Sequence, residues 1–464
     1  MTGWTGFSTC CAAFCEAGLP RDGQAGGIRQ AQHSWRRPRW LAQRGAGKRR
    51  GFLSFLGPGL ITGAADDDPS GIATYSQVGA QFGYGMTWVL LFSFPLMASI
   101  QEVSARIGRV TGQGIAANVG QHYSRALLSV LVLLLIVANV INLGADLGAM
   151  GAAVKLVIGG SAQLYVLVLA VLCAGLEIFV RYERYASILK WLTLALFAYV
   201  ATVLIVGVHW GEVAFATFVP HVQWSTDFLT SVVAVLGTTI SPYLFFWQAS
   251  EEAEEERIDP VAKPLIEAPE QARREIHRIR LDTWFGMGLS NLISWCIIVT
   301  TAATLGANNV THIQSAEQAA EALRPIAGEL AFLVFACGII GTGLLAIPVL
   351  AGSAAYALAE MLDWPAGLAE LPRHAKAFYA TIAVGTLLGV GFNFFSIDPI
   401  KALFWTAVIN GVVAVPLMIV MMIVTSRPKV MGDFTLPRPL AVTGWICTGV
   451  MTAAVVVMFA TWGS

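Results

Sequence analysis

Charge is what this sequence has least of. Asp, Glu, Lys and Arg make up 12% of the 464 residues, against roughly 25% in soluble domains, and mean hydropathy is +0.65. A chain so poor in charge does not cover a soluble surface. Its 29 basic and 29 acidic residues cancel, which argues against nucleic acid as a partner, since that binding draws on excess positive charge. The seven cysteines (10, 11, 15, 173, 296, 337 and 447) form no CxxC pair and have no zinc spacing, so they read as free thiols or core packing. No HExxH, Walker loop, GxGxxG-like spacing or nucleophile elbow occurs, so no enzyme of those chemistries is expected. His209, His221, His277, His312 and His374 fall in loops and near span ends without HxxxH spacing; they carry no expected metal role.

What the chain does have is long apolar runs, among them RALLSVLVLLLIVANVINL, LYVLVLAVLCAGLEIFV and LFWTAVINGVVAVPLMIVMMIV. Each approaches or exceeds the roughly 20 residues that cross a bilayer as a helix. Eleven spans are expected, near 55–80, 86–108, 126–150, 163–182, 186–208, 227–250, 281–305, 328–359, 375–396, 400–425 and 439–462. The reading is an all-α polytopic membrane protein. With the N-terminus inside, 26 of the 29 basic residues fall in inside segments and only Lys155, Arg324 and Lys401 outside. That is the positive-inside bias, and it predicts a multi-pass cell (inner) membrane protein, N-terminus cytoplasmic and C-terminus extracytoplasmic. Residues 1–50 are Arg-rich with no apolar signal core; they read as a disordered basic cytoplasmic tail, not a secretory signal.

One stretch interrupts the apolar pattern. AADDDPSGIA, residues 64–73, puts three carboxylates and a proline inside the first span. A carboxylate at membrane depth is costly and marks an aqueous cavity or a cation. The sixth span is interrupted too, at Thr238, Thr239, Ser241 and Pro242. Pro69 and Pro242 each remove an amide donor and free backbone carbonyls. Spans one and six are corresponding members of two five-helix halves, 55–208 and 227–425, with 439–462 as an extra helix after them. Such paired breaks point to a midplane site in an inverted-repeat transporter. The first half-helix ends near Asp68, so its negative dipole end faces the gap and favours a cation. Successive helical residues lie about 100° apart, so Asp66, Asp67 and Asp68 cannot all face one ion. Asp68 is the expected direct ligand; Asp66 and Asp67 read as a vestibule or a partner for another helix.

The stretch GPGLITGAADDDPSGIATYSQVGAQFGYGMTW resembles the first helix of the Nramp family of divalent-metal transporters, with its DPGN motif. QEVSARIGRVTG (101–112) and VTSRPKVMGDF (424–434) resemble further segments of that family. The resemblance covers about residues 51–464 and implies a LeuT-like fold with alternating access, the metal ion being substrate and no cofactor needed. It also implies metal contacts at Asp68, at Gly71 (where the family has Asn), at Ser241 (where it has Met) and at the carbonyl of Thr238. Asn410 lies close to a polar position of the family's site. Tyr243 stands where the family has His. In helix three Asp146 matches a family Asp associated with proton movement, but Ala149 replaces the Glu three residues on.

These departures shape the expectation. Losing the Met removes the soft ligand, and the remaining oxygens suit Mg²⁺ or Mn²⁺; the Nramp-related magnesium transporters likewise lack it. Small side chains at 71 and 241 are expected to leave room for water retained by the ion. Loss of the His and the Glu makes proton coupling doubtful. The alternative of the same fold is a Na⁺-coupled organic-solute symporter. Beyond the ion and the lipid bilayer, no feature points to an obligate protein partner. Glu102 is expected to pair with Arg106 one turn on, Asn139 and Asn142 to hydrogen-bond between helices, and the acidic run 250–259 to be a solvated helix end.

Overall fold

The computed structural model describes residues 58–180, 193–395 and 398–462, all within the unit Lys48–Ser464. The expected tail of residues 1–50, with Cys10, Cys11 and Cys15, lies outside the described residues. Counting helices of eight residues or more, residues 58–218 hold α1 (Pro58–Asp66), α2 (Pro69–Phe82), α3 (Thr87–Thr111), α4 (Ile115–His122), α5 (Arg125–Ile158), α6 (Ala162–Phe179), α7 (Phe197–Ile205) and α8 (Trp210–Phe218). Then follow α9 (Thr226–Thr239), α10 (Pro242–Ile258), α11 (Ala272–Thr304), α12 (Ala331–Met361), α13 (Lys376–Phe392), α14 (Pro399–Thr425) and α15 (Arg438–Thr461). No strand occurs among the described residues.

Proline sets both breaks. A residue before proline is steered to extended backbone, and Asp68 sits at φ −67°, ψ 171°. Pro69 then takes the first helical position of α2, where a missing N–H matters least and the fixed φ suits the helix. The second break repeats the device: Ser241 is extended at φ −85°, ψ 130°, and Pro242 opens α10.

Glycine sets the packing of the first half-helix. A Cβ on Gly63 would stand 2.4 Å from the carbonyl carbon and oxygen of Gly286, so α1 lies backbone to backbone on α11. Small residues that allow such approach are the usual basis of helix association where lipid supplies no hydrophobic force. The first N–H groups of α1 donate to Asp282 of α11, Gly59 to Oδ2 at 2.8 Å and Leu60 to Oδ1 at 3.1 Å. A carboxylate there satisfies orphan donors and opposes the helix dipole. Asn139 on α5 donates to the Leu350 carbonyl (2.9 Å) and Ser353 Oγ (2.8 Å) of α12, an interhelical role. Arg106 pairs with Glu102 at 2.7 Å, and Trp284 Nε1 donates to the other oxygen of that carboxylate at 2.8 Å.

Two expectations change. Each of the eleven expected spans overlaps helical backbone, but eight helical stretches among the described residues are long and apolar enough to cross a membrane unaided. The difference has three causes. The first span is cut into pieces of 9 and 14 residues, the helix of the ninth span holds 17, and the fifth span lies partly in residues 181–192, outside those described. The acidic run is only in part a solvated helix end: Glu255, Arg257 and Asp259 are exposed, but three of its carboxylates are not. Glu252, Glu254 and Glu256 are buried. Arg278 pairs with Glu252 at 2.5 Å, Arg109 lies 3.9 Å from Glu256, and Glu254 accepts from Tyr356 and from the N–H groups of Leu368 and Ala369. One face of the end of α10 is covered by other elements, which the composition of the run does not reveal.

Candidate functional site

Asp68 is where the polar contacts converge. Its Oδ1 caps α2, accepting from Gly71 N at 2.8 Å and from Ser70 Oγ at 2.7 Å. The sequence puts Asp68 at the negative end of the first half-helix; because Pro69 starts a helix immediately, it also faces the positive end of the second. An N-cap carboxylate there is favourable. Its Oδ2 accepts from Asn142 Nδ2 and from the Tyr243 hydroxyl, both at 3.2 Å. These are the long bonds of the set.

Asn142 ties the rest together. Its Nδ2 also donates to Asp146 Oδ2 at 3.0 Å, and its Oδ1 accepts from Asn410 Nδ2 at 3.1 Å. Asp68, Tyr243, Asn142, Asp146 and Asn410 are each at most 1% exposed. They come from the first break and from α10, α5 and α14. Asp146 Oδ1 and Asn410 Oδ1 are buried with no hydrogen-bond partner. Among the described residues neither Asp68 nor Asp146 forms an ion pair. Buried carboxylates without a positive partner are expensive, and a cation offsets that cost.

The other expected residues lie around this group. Thr238, 1% exposed, lies in the last turn of α9 with Oγ1 3.1 Å from the point where a Cβ on Gly71 would be. That point is also 3.3 Å from the Asp66 carbonyl oxygen and from Tyr75 Cε2. Gly71 is therefore packed against its neighbours, and the expected room for water beside it is taken by side chains. The Ser241 hydroxyl turns back onto α9, donating towards Gly237 O (2.9 Å) and Thr238 O (2.8 Å), and among the described residues it makes no hydrogen bond to the Asp68 cluster. Asp66 and Asp67 face α11, where Ser290 Oγ donates to Asp66 Oδ2 at 2.6 Å and Ser294 Oγ lies 3.2 Å from Asp67 Oδ1.

Asn142 is the residue that sequence reasoning assigned only to helix packing. The signal that points to it is its position four residues before Asp146, one turn away on the same face. No group of three or more His, Cys, Asp or Glu side chains suited to a metal occurs among the described residues; the cluster mixes carboxylate, amide, hydroxyl and carbonyl oxygen.

Residues 59–461 match the family described as "Natural resistance-associated macrophage protein-like", Nramp. The divalent metal cation transporter MntH of Deinococcus radiodurans is 27% identical over 418 residues, covering 87% of this chain and 89% of that protein. MntH of Klebsiella pneumoniae strain 342 is 25% identical over 410 residues, covering 86% and 92%. Among solved structures, the Eremococcus coleocola manganese transporter in complex with an aromatic bis-isothiourea substituted compound superposes with a TM-score of 0.68 at 17% identity, covering 89% of this chain and 88% of that one. MhsT in complex with L-phenylalanine gives 0.61 at 12% identity, covering 90% and 100%. At these identities the likeness is one of fold, and the fold is the expected LeuT-like one.

Proposed function

The chain belongs to the Nramp family, and from that premise we propose that it is a multi-pass membrane transporter that carries a divalent metal cation past Asp68. The observation that supports this reading is the buried oxygen cluster of Asp68, Asn142, Asp146, Tyr243 and Asn410, with two oxygens that make no hydrogen bond of good geometry and, among the described residues, no cationic side chain paired to its carboxylates. Gly71 donates its N–H to Asp68, Thr238 packs against Gly71, and Ser241 donates to the Thr238 carbonyl. The metal is the substrate, and the reading needs no cofactor. Alternating access would act on two five-helix halves, 55–208 and 227–425, with 439–462 outside them. The N-terminus would lie in the cytoplasm and the C-terminus across the cell membrane.

The finer part of the proposal is a hard ion, Mg²⁺ or Mn²⁺. The groups that meet the Asp68 carboxylate offer oxygen and nitrogen and no sulfur, and an oxygen-rich environment suits hard cations. Tyr243 in place of His and Ala149 in place of Glu support transport that does not require a proton. A Na⁺-coupled organic-solute symporter is not favoured: an anionic substrate group at the N-terminus of α10 would sit beside the carboxylates of Asp68 and Asp146.

The test is uptake into proteoliposomes of Mg²⁺ and Mn²⁺ in parallel, with an internal pH dye and Asp68→Ala as control. Divalent entry without internal acidification, lost in Asp68→Ala, is the expected result. Mn²⁺ entry with acidification and no Mg²⁺ entry narrows the ion to Mn²⁺ and overturns the proton-independent part. No divalent flux overturns the transport reading.

A further inference from the structure

Asp66 and Asp67 take no part in the contacts of Asp68. They are 0% and 3% exposed and turn to α11. Ser290 Oγ lies 2.6 Å from Asp66 Oδ2 and 3.1 Å from Asp67 Oδ1. Ser294 Oγ lies 3.2 Å from Asp67 Oδ1 and 3.0 Å from the Ser290 carbonyl oxygen. Each serine hydroxyl has one proton to give, so these four oxygen–oxygen contacts share two protons. The remaining lone pairs face one another, which a cation among them relieves.

Two further polar atoms point the same way. Asp66 Oδ1 is buried and has no hydrogen-bond partner. The Tyr75 hydroxyl, on a fully buried side chain of α2, comes up against Ser294 and Thr238 and close to both carboxylates, yet makes no hydrogen bond of good geometry. Among the described residues neither Asp66 nor Asp67 forms an ion pair. Asp66 is the last residue of α1, where the free carbonyls and the negative dipole end add to the demand for positive charge.

We propose that Asp66 and Asp67, with the hydroxyls of Ser290, Ser294 and Tyr75, form a second cation site, separate from the one at Asp68, that binds a second hard divalent cation. Two carboxylates match a divalent charge, and the donors are all oxygen. Among the described residues no side chain donates to the carboxylates of both sites. Asp68 is held by Ser70, Gly71, Asn142 and Tyr243, whereas the hydrogen bonds to Asp66 and Asp67 among the described residues come from α11, with Tyr75 of α2 beside them. The glycine contact of Gly63 on Gly286 holds α1 against α11, while Tyr243 of α10, which donates to Asp68, also donates to the Ala65 carbonyl at 3.1 Å and so touches both groups. The inference rests on the proposed transport reading, which brings divalent cations to this depth.

The experiment counts Mn²⁺ bound to the purified full chain by equilibrium dialysis, with electron paramagnetic resonance of the bound ions. Successive Cα atoms are about 3.8 Å apart, so ions at neighbouring carboxylates stand close enough for their spins to couple. The expected result is two Mn²⁺ per chain with a coupled spectrum. Asp66→Asn/Asp67→Asn and Asp68→Asn should each leave one ion and an uncoupled spectrum. One Mn²⁺ in the unaltered chain, lost in Asp68→Asn but kept in Asp66→Asn/Asp67→Asn, overturns the second site and leaves the transport reading standing. No bound Mn²⁺ overturns both. Should the double Asn variant fail to fold, Ser290→Ala/Ser294→Ala keeps both carboxylates. It should weaken one of the two ions by about tenfold, as loss of a supporting contact does, and an unchanged isotherm overturns the proposal.

Discussion

Replacing Asn142 by Ala separates a role in ion binding from a role in packing. Asn142 donates to Asp68 and Asp146 and accepts from Asn410, with all four side chains buried. Hydrogen bonds to charged groups contribute about 1.5–3 kcal/mol each, so two of them at the low end amount to ~3 kcal/mol. Protonation or an ion recovers part of this for the carboxylates. A loss of ~1.4–2.8 kcal/mol in ion binding remains, which is about 10–100-fold in affinity.

Asn139→Ala is the matched control. It lies one turn away on the same helix and also donates twice, but to the Leu350 carbonyl and Ser353 Oγ, away from any carboxylate. Bonds to neutral groups contribute about 0.5–1.5 kcal/mol each. Asn139 Oδ1 is itself unpartnered, so removing the side chain also removes that penalty. The assay is the concentration dependence of Mn²⁺ uptake in proteoliposomes, with melting temperature in detergent alongside. Asn142→Ala should raise KM by about 10–100-fold, while Asn139→Ala should lower the melting temperature slightly and leave KM in place. Equal KM for both variants, or a KM for Asn142→Ala within about twofold of the unaltered protein, refutes the reasoning.

Three more outcomes follow from the packing. Gly71→Asn restores the side chain of the DPGN motif but drives a Cβ to 3.1 Å from Thr238 Oγ1; overpacking of about 1–3 kcal/mol should lower the melting temperature and slow uptake, and unchanged values contradict a filled space at 71. Gly63→Ala places a Cβ 2.4 Å from backbone atoms of Gly286, so α1 must leave α11; folded yield on size-exclusion chromatography should fall, and a normal yield with normal melting refutes the close contact. Arg278→Met strands the fully buried Glu252 at a cost of about 3–5 kcal/mol, and Glu252→Met/Arg278→Met should regain much of the lost melting temperature; a double variant no better than the single one argues against a net ion pair there.

What was legible in the chain was whatever one residue does to its own backbone. Asp68-Pro69 and Ser241-Pro242 announce a break because proline dictates the conformation of the residue before it and starts the helix after it. Both junctions are found where that rule puts them. Long apolar runs announced helices for the same local reason. What stayed hidden was every contact made across the fold. Asn142 meets Asp68 over a separation of 74 residues and Ser290 meets Asp66 over 224. No periodicity within a helix encodes which face another helix will cover. The acidic end of α10 misled for that reason: its composition suits water, and its burial comes from Arg109, Arg278 and residues 368–369.

The run of three carboxylates shows how a local rule and a distant contact combine. Helical geometry alone says that neighbours in the chain point different ways, which separates the three without saying towards what. The proline after Asp68 then turns that residue into the cap of α2, so its carboxylate is drawn to α5 and α10. Asp66 and Asp67, still on the α1 side of the break, are carried by the Gly63–Gly286 contact to the serines of α11. One break thus presents negative charge to two different sets of helices. A motion that shifts α5 and α14 relative to α1 and α11 would change the surroundings of Asp68 and leave the serine contacts of Asp66 and Asp67 in place, whereas a shift of α10 would reach both groups through Tyr243. An ion held by the second pair would then repel the first towards whichever side had opened, which is why the number of ions bound, and not only their identity, bears on how transport proceeds.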